Sequence, residues 1–155
     1  MRLWHKDLLP YLDAFHIVSQ YRELLAIKRA IDKNGTPNHR LVNKVLDYSI
    51  KHFKAYALLV KIELVKRKIK FIEKNIEEIF DWENDLFPKQ EFEIDNKIYK
   101  GWHDFRYLTQ CYYNLQEKFD CGIVSKKAFC EIHYFYIDYA KQCINEFCEK
   151  ASEER

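Results

Sequence analysis

Three features of the sequence predict an all-α fold. Glycine and proline number only three each among 155 residues, too few for the repeated tight turns of a sandwich or barrel. Apolar residues recur three and four apart through successive segments, which is the spacing of one helix face. Side chains able to cap a helix stand just before those segments. With 48% hydrophobic and 16% aromatic residues the chain can bury a core, which excludes disorder. Its length suits one compact single-domain helical bundle, residues 1–155, with a short N-terminal tail.

Asp13 is the expected N-cap of the first helix. Ile17, Val18, Tyr21, Leu24, Leu25 and Ile31 follow near a 3.6-residue period until Asn34-Gly35 ends it. Thr36-Pro37, a capping residue followed by proline at a first helical position, is expected to open a short segment running to about Asp47. Ser49 or Asp47 then starts a long helical region with the stripe Ile50, Phe53, Ala57, Val60 and Leu64. A second stripe, Ile69, Ile72, Ile76 and Ile79 or Phe80, is out of phase with the first, so a break or bend is expected at Lys66-Arg67-Lys68. Non-helical signals cluster in residues 81–103: Pro88, and the alternation Phe92-Glu93-Ile94 and Ile98-Tyr99 around Asp95-Asn96. They predict a small hairpin or loop near residues 88–103. Asp104 caps the next helix, with Phe105, Leu108, Tyr112, Leu115 and Phe119 inward and Gly122 at its end. Ser125 caps the last one, whose stripe is Phe129, Ile132, Tyr136, Tyr139 or Ala140, Cys143 and Phe147.

The net charge of +2 hides an asymmetry. Residues 1–80 carry 16 Lys and Arg against 9 Asp and Glu, a balance of +7, whereas residues 81–155 carry 10 against 15, a balance of −5. A basic half favours a polyanionic partner, through phosphate contacts and counterion release. Five cysteines, odd in number and without a C-x-x-C pair, suit reduced and mostly packed thiols. The six histidines lack metal-ligand spacing, so no metal is expected. No apolar run approaches the roughly 18 residues of a membrane span, and no signal-peptide core opens the chain. A soluble, cytoplasmic protein that avoids membranes is therefore expected.

Arg22 and Glu23 sit at the edge of the first helix's apolar stripe. An acid beside a fixed cation, close in sequence to a free amino group, has the composition of an active site, and it is equally the composition of a solvated surface pair. His16 and His52 lie near apolar stripes and are read as structural histidines. Trp4 and His5 either stack on a ligand or anchor the tail to the core.

The run His16, Tyr21-Arg22-Glu23-Leu24, with its distance from the N-terminus, resembles the first helix of the pyrimidine-dimer DNA glycosylase family, the endonuclease V type. The opening Met1-Arg2-Leu3-Trp4-His5-Lys6-Asp7-Leu8-Leu9-Pro10-Tyr11-Leu12 is similar to a bacterial branch of that family. A second block in register, Asn38-His39-Arg40-Leu41-Val42-Asn43-Lys44-Val45 with His52, Tyr56 and Val60 to Arg67, supports the match. The resemblance covers roughly residues 1–80; residues 81–155 form a helical extension without a clear match.

The resemblance implies a DNA repair glycosylase with associated AP-lyase activity on pyrimidine dimers or related damaged bases. It implies an N-terminal amine as nucleophile, a Schiff-base intermediate and no cofactor. Glu23 matches the family's catalytic glutamate and Arg22 an arginine that holds phosphate. Arg2 is the nearest counterpart of a basic residue in the tail. Because Arg2 stands where the best-known form exposes a small hydroxyl residue, both Met1 and Arg2 are candidate bearers of the amine. Lys28 and Arg29 are further candidate DNA contacts. His39 and Asn43 either line the DNA groove or cap helix ends. The expected partner is double-stranded damaged DNA, bound by a monomer. Two other classes stay open: a non-enzymatic helical nucleic-acid-binding protein, and a helical protein-interaction module working through the acidic half.

Overall fold

The computed structural model describes residues 2–89 and 98–153, and every regular element among them is a helix. The all-α expectation holds. The hairpin or loop expected near residues 88–103 falls mainly on residues 90–97, which lie outside the described residues; residues 98–102 are turns. The chain divides into two units, Met1–Lys100 and Gly101–Arg155.

The first unit begins with a 3₁₀ helix, Lys6–Tyr11, capped by His5 Nδ1, which accepts the Asp7 N–H. Helix α1 spans Ala14–Asn34, a second 3₁₀ helix Val42–Asp47, α2 Ile50–Lys66 and α3 Glu73–Phe80. Helices α1 and α2 pack together, the first 3₁₀ helix lies against α2, and α3 touches both α-helices. The core between them is apolar: Leu3, Leu8, Ile17, Leu24, Ile27, Phe53, Ala57, Val60, Leu64, Ile76 and Ile79 are fully buried. Each large side chain of this set contributes about 1.5–3 kcal/mol.

Helix α1 has the ends the sequence predicts. Asp13 Oδ1 accepts the His16 N–H at 2.8 Å. Gly35 takes the left-handed conformation, φ 73°, and its N–H donates to the Ile31 carbonyl at 2.8 Å. Helix α2 is capped by Ser49, whose hydroxyl accepts the Lys51 N–H. It stops at Lys66, and Lys68 turns to φ 56°, so the expected break is present. Two expectations need correction. Thr36-Pro37 opens no helix: Asn38 adopts φ 54°, incompatible with a continuing right-handed turn, and helix resumes only at Val42. Of the second apolar stripe, only Ile76 and Ile79 are buried helix residues; Ile69 and Ile72 precede α3, and Ile72 is exposed.

Arg67, just past α2, fixes the end of the first 3₁₀ helix. Its guanidinium donates to the carbonyls of Pro10 (2.8 Å), Leu9 (3.2 Å) and Leu12, and both Nε and Nη2 donate to the buried Glu63 carboxylate at 2.9 and 2.8 Å. The last carbonyls of a short helix lack partners of their own, and a planar five-donor cation satisfies several together. At the other end of α2, Tyr99 donates its N–H to His52 Nδ1 at 2.9 Å, and the two rings stack at 5.5 Å. Burial holds the His52 imidazole below its ordinary value, in the neutral form this bond requires.

The second unit is a two-helix hairpin, α4 (Phe105–Asp120) and α5 (Lys126–Glu153). Asp104 caps α4 by accepting the Tyr107 N–H, Gly122 follows its end at φ 73°, and the Ser125 hydroxyl accepts the Ala128 N–H to start α5. Aromatic rings line the contact: Tyr112 stacks on Tyr136 at 4.1 Å and Phe119 on Phe129 at 4.5 Å. Helix α5 is 28 residues against 16 for α4, so its last turns extend past the partner helix. Phe147, expected inward, is exposed for that reason. The expectation of mostly packed thiols is corrected: Cys121, Cys130 and Cys148 are exposed, Cys143 is half-buried and Cys111 is buried.

Two outcomes test these contacts. Arg67→Met leaves the buried Glu63 carboxylate without its main partner and frees three carbonyls, and should lower unfolding stability in urea by about 3 kcal/mol. Lys54→Met, at the exposed pair with Glu83 (2.7 Å), should cost under about 1 kcal/mol. For His52 the folded-state pKa lies below the unfolded value. Its stabilisation is therefore full above about pH 6.5 and declines as pH falls from there through the folded value. Urea midpoints should drop from pH 7 to 5, and His52→Asn, which keeps an acceptor but cannot titrate, should show a smaller drop.

Candidate active site

The N-terminal segment is held inside the fold. Leu3, Trp4 and His5 are buried, and the Trp4 backbone is gripped at both polar groups. Its N–H donates to Gln20 Oε1 at 2.9 Å, and its carbonyl accepts the Tyr56 hydroxyl at 2.8 Å. The same hydroxyl lies 3.2 Å from Gln20 Oε1. The Trp4 ring meets His16 edge-on at 5.9 Å, and the Arg2 guanidinium sits 5.6 Å from the Trp4 ring centre. Trp4 and His5 thus take the anchoring role. Met1 lies outside the described residues.

Helix α1 supplies the other groups. At 100° per residue, His16, Gln20, Ile27 and Glu23 fall on one side, toward the N-terminal segment, and Glu23 stands one turn, about 4.5 Å of rise, beyond Gln20. Glu23 is half-buried at the edge of the core. Arg22 and Arg29, both exposed, are two turns apart and share an outward stripe roughly 100° or more from Glu23. Lys28 points elsewhere. Its ammonium pairs with Asp32 at 2.7 Å and lies 5.3 Å from the centre of the Trp82 ring. Burial alone would raise the Asp32 carboxyl, but hydrogen bonds from Lys28, Trp82 and Asn84 outweigh it and hold the group below the ordinary range.

His39 and Asn43 act within the chain. Asn43 Oδ1 accepts both the His39 N–H (3.1 Å) and the Thr36 hydroxyl (3.0 Å), and His39 Nδ1 accepts the Val42 N–H. Both secure the loop and the start of the second 3₁₀ helix. His16 is buried, with Nδ1 on Asp13 Oδ1 at 2.8 Å, while its Nε2, like Gln20 Nε2, is a buried atom without a partner among the described residues. His52 takes its structural place on Tyr99. A cleft of about 420 Å³, lined by Ser49, Lys51, Glu83, Asn84 and Phe87, opens at the start of α2 and contains none of the candidate residues.

Sequence reasoning missed Gln20 and Arg67. Gln20 had a signal: it is a polar residue at a position where the α1 period calls for an apolar one, the kind of local conflict that marks a special role. Arg67 was visible only at the break after α2 and at the end of the block Val60 to Arg67, with no sign of its role, because its partners are main-chain carbonyls 55 to 58 residues away. Among the described residues no helix is long and apolar enough to cross a membrane.

The arrangement brings together a short anchored N-terminal stretch, a half-buried carboxylate one turn from the anchor, and an exposed arginine stripe on the same helix. Such a set can place an amine beside an acid at a surface rather than in a closed pocket. No curated protein and no solved structure matches the chain. A family model described as pyrimidine dimer DNA glycosylase matches residues 1–77, which include the anchored stretch, all of α1 and all of α2. Residues 1–77, just under half of the chain, are thus similar to the pyrimidine dimer DNA glycosylase family.

Proposed function

We propose that this protein is a DNA repair glycosylase with AP-lyase activity, acting on pyrimidine dimers or related damaged bases in double-stranded DNA. The observation that carries the reading is that the family match spans the segment in which the Trp4 backbone is pinned to Gln20, one helical turn from Glu23. An α-amine has a reference pKa of about 7.7–8.0, so a useful neutral fraction exists at physiological pH, whereas a lysine near 10.4 needs strong perturbation. In the reaction, the neutral N-terminal amine of Met1 or Arg2 attacks C1′ of the damaged nucleotide. The new N–C1′ bond forms as the glycosidic bond breaks, and the base departs with the bonding pair and takes up a proton. Ring opening then gives the protonated imine. Loss of a proton from C2′ expels the 3′ phosphate and nicks the strand.

Glu23 moves the sugar's protons and offsets the positive charge at C1′. Arg22 holds backbone phosphate, and Arg29, on the same outward stripe, extends that contact. Lys28 contributes less, because its charge is already matched by Asp32. The chain acts as a monomer in the cytoplasm.

Excision measured on duplex DNA carrying a single cyclobutane dimer tests the proposal. Glu23→Gln should keep duplex affinity and lower excision by roughly 10² to 10⁴; activity within a few fold of the unmutated chain contradicts the role given to Glu23. Arg22→Ala and Arg29→Ala should each weaken binding across sequences and reduce the slope of log K against log salt by about one unit. The slope for Lys28→Ala should change by less. Equal slopes for the unmutated chain, Arg22→Ala and Arg29→Ala would place that stripe away from DNA.

A further inference from the structure

Gln20 has an unusual position. It is fully buried on the core side of α1, where an apolar residue would pack at lower desolvation cost. Its Oε1 accepts the Trp4 N–H of the tail at 2.9 Å, and the Tyr56 hydroxyl of α2 lies 3.2 Å from the same atom. The Trp4 N–H can only donate, so it fixes which end of the amide faces the tail. The cost is a buried Nε2 without a partner among the described residues. Tyr56, itself fully buried, directs its single O–H at the Trp4 carbonyl, 2.8 Å away. Both main-chain polar groups of one tail residue are therefore held by side chains from two helices, with the three-way junction sealed from water.

We infer that Gln20, with Tyr56, is the positioning residue of this site: it sets where the N-terminal amine stands relative to Glu23. The inference rests on the function proposed above. The α-amine of residue 1 is three residues upstream of Trp4, a stretch that spans no more than about 11 Å. With Trp4 fixed on Gln20, and Glu23 one turn further along the same helix, the carboxylate falls within the reach of that stretch. Gln20 does not touch the reacting atoms. It acts through the Trp4 main chain, by holding in advance a segment that would otherwise have to be ordered in each encounter. A strand edge would have held such a segment by a ladder of backbone bonds; among the described residues there is none, and one buried amide with one buried phenol takes its place.

The test follows three chains, Gln20→Leu, Tyr56→Phe and Gln20→Glu, with Ile31→Val as a core change remote from the tail that reports on stability alone. Three readouts are taken: affinity for a duplex with one abasic site, the rate of borohydride trapping on that duplex, and hydrogen exchange at the Trp4 amide. Gln20→Leu should trap roughly 10- to 100-fold more slowly with affinity within about twofold of the unmutated chain. The Trp4 amide should exchange at least ~10-fold faster while the Ile27 and Ile31 amides of α1 stay protected. Tyr56→Phe, which removes one hydroxyl and little volume, should move in the same direction by a smaller factor. Gln20→Glu keeps an acceptor at the Oε1 position and should recover most of the trapping rate. A Gln20→Leu chain that traps no more slowly than Ile31→Val, or a Trp4 amide whose exchange does not change, overturns the positioning role. Absence of any adduct from the unmutated chain overturns instead the reading of the site on which the role rests.

Discussion

The arrangement of the N-terminal unit depends on keeping a tail of about a dozen residues inside a helical fold. A tail has no period of its own to bury, and ordering each of its residues costs about 1–2 kcal/mol of backbone entropy. Here it is held at two separate points. Gln20 and Tyr56 take the main chain of Trp4, and Arg67 takes the carbonyls at the end of the first 3₁₀ helix. Between them Leu3, Leu8, Leu9 and Leu12 supply apolar area to the core. The apolar burial offsets the ordering, and the polar clamps set the register that burial alone leaves free.

That division explains why the candidate chemistry sits where it does. Helix α1 has three faces with separate tasks. Its inward face, with Ile17, Leu24 and Ile31 buried, belongs to the helix that packs on α2. Its tail-side edge bears Gln20 and Glu23, and its outward stripe bears Arg22 and Arg29. A single helix thus links the anchor, the acid and the proposed phosphate contacts in one rigid frame, so their spacing does not depend on loops. Unit 2 stands outside the family match, which ends at residue 77. Its aromatic stack between α4 and α5 makes the tyrosines of that hairpin, Tyr112 and Tyr136 foremost, packing residues.

Much of the fold is written locally, and those parts are legible from sequence. Asp13, Gly35, Ser49, Asp104, Gly122 and Ser125 mark helix ends because their effects act within four residues. The misread parts depend on distant or competing contacts. Thr36-Pro37 has the local form of a helix start, but Asn43 draws Thr36 into a loop and Asn38 turns left-handed. Phe147 keeps the period of its helix and is exposed only because α4 is shorter. At the site, Glu23, Arg22 and the tail were singled out from the family motif, and the roles given to them are proposals. The partners of Gln20 and Arg67 were not legible, since each acts on main chain far away in sequence; Gln20 shows only as a polar residue at an apolar position of the α1 period.

The central claim is that this anchored segment delivers an α-amine, and not a lysine, to the sugar beside Glu23. Borohydride reduction on a duplex with one abasic site, followed by digestion and mass spectrometry of the DNA-linked peptide, tests it most directly. The account predicts a single adduct on the α-amine of Met1 or Arg2. An adduct on the side chain of Lys6, Lys28 or any other lysine would contradict it.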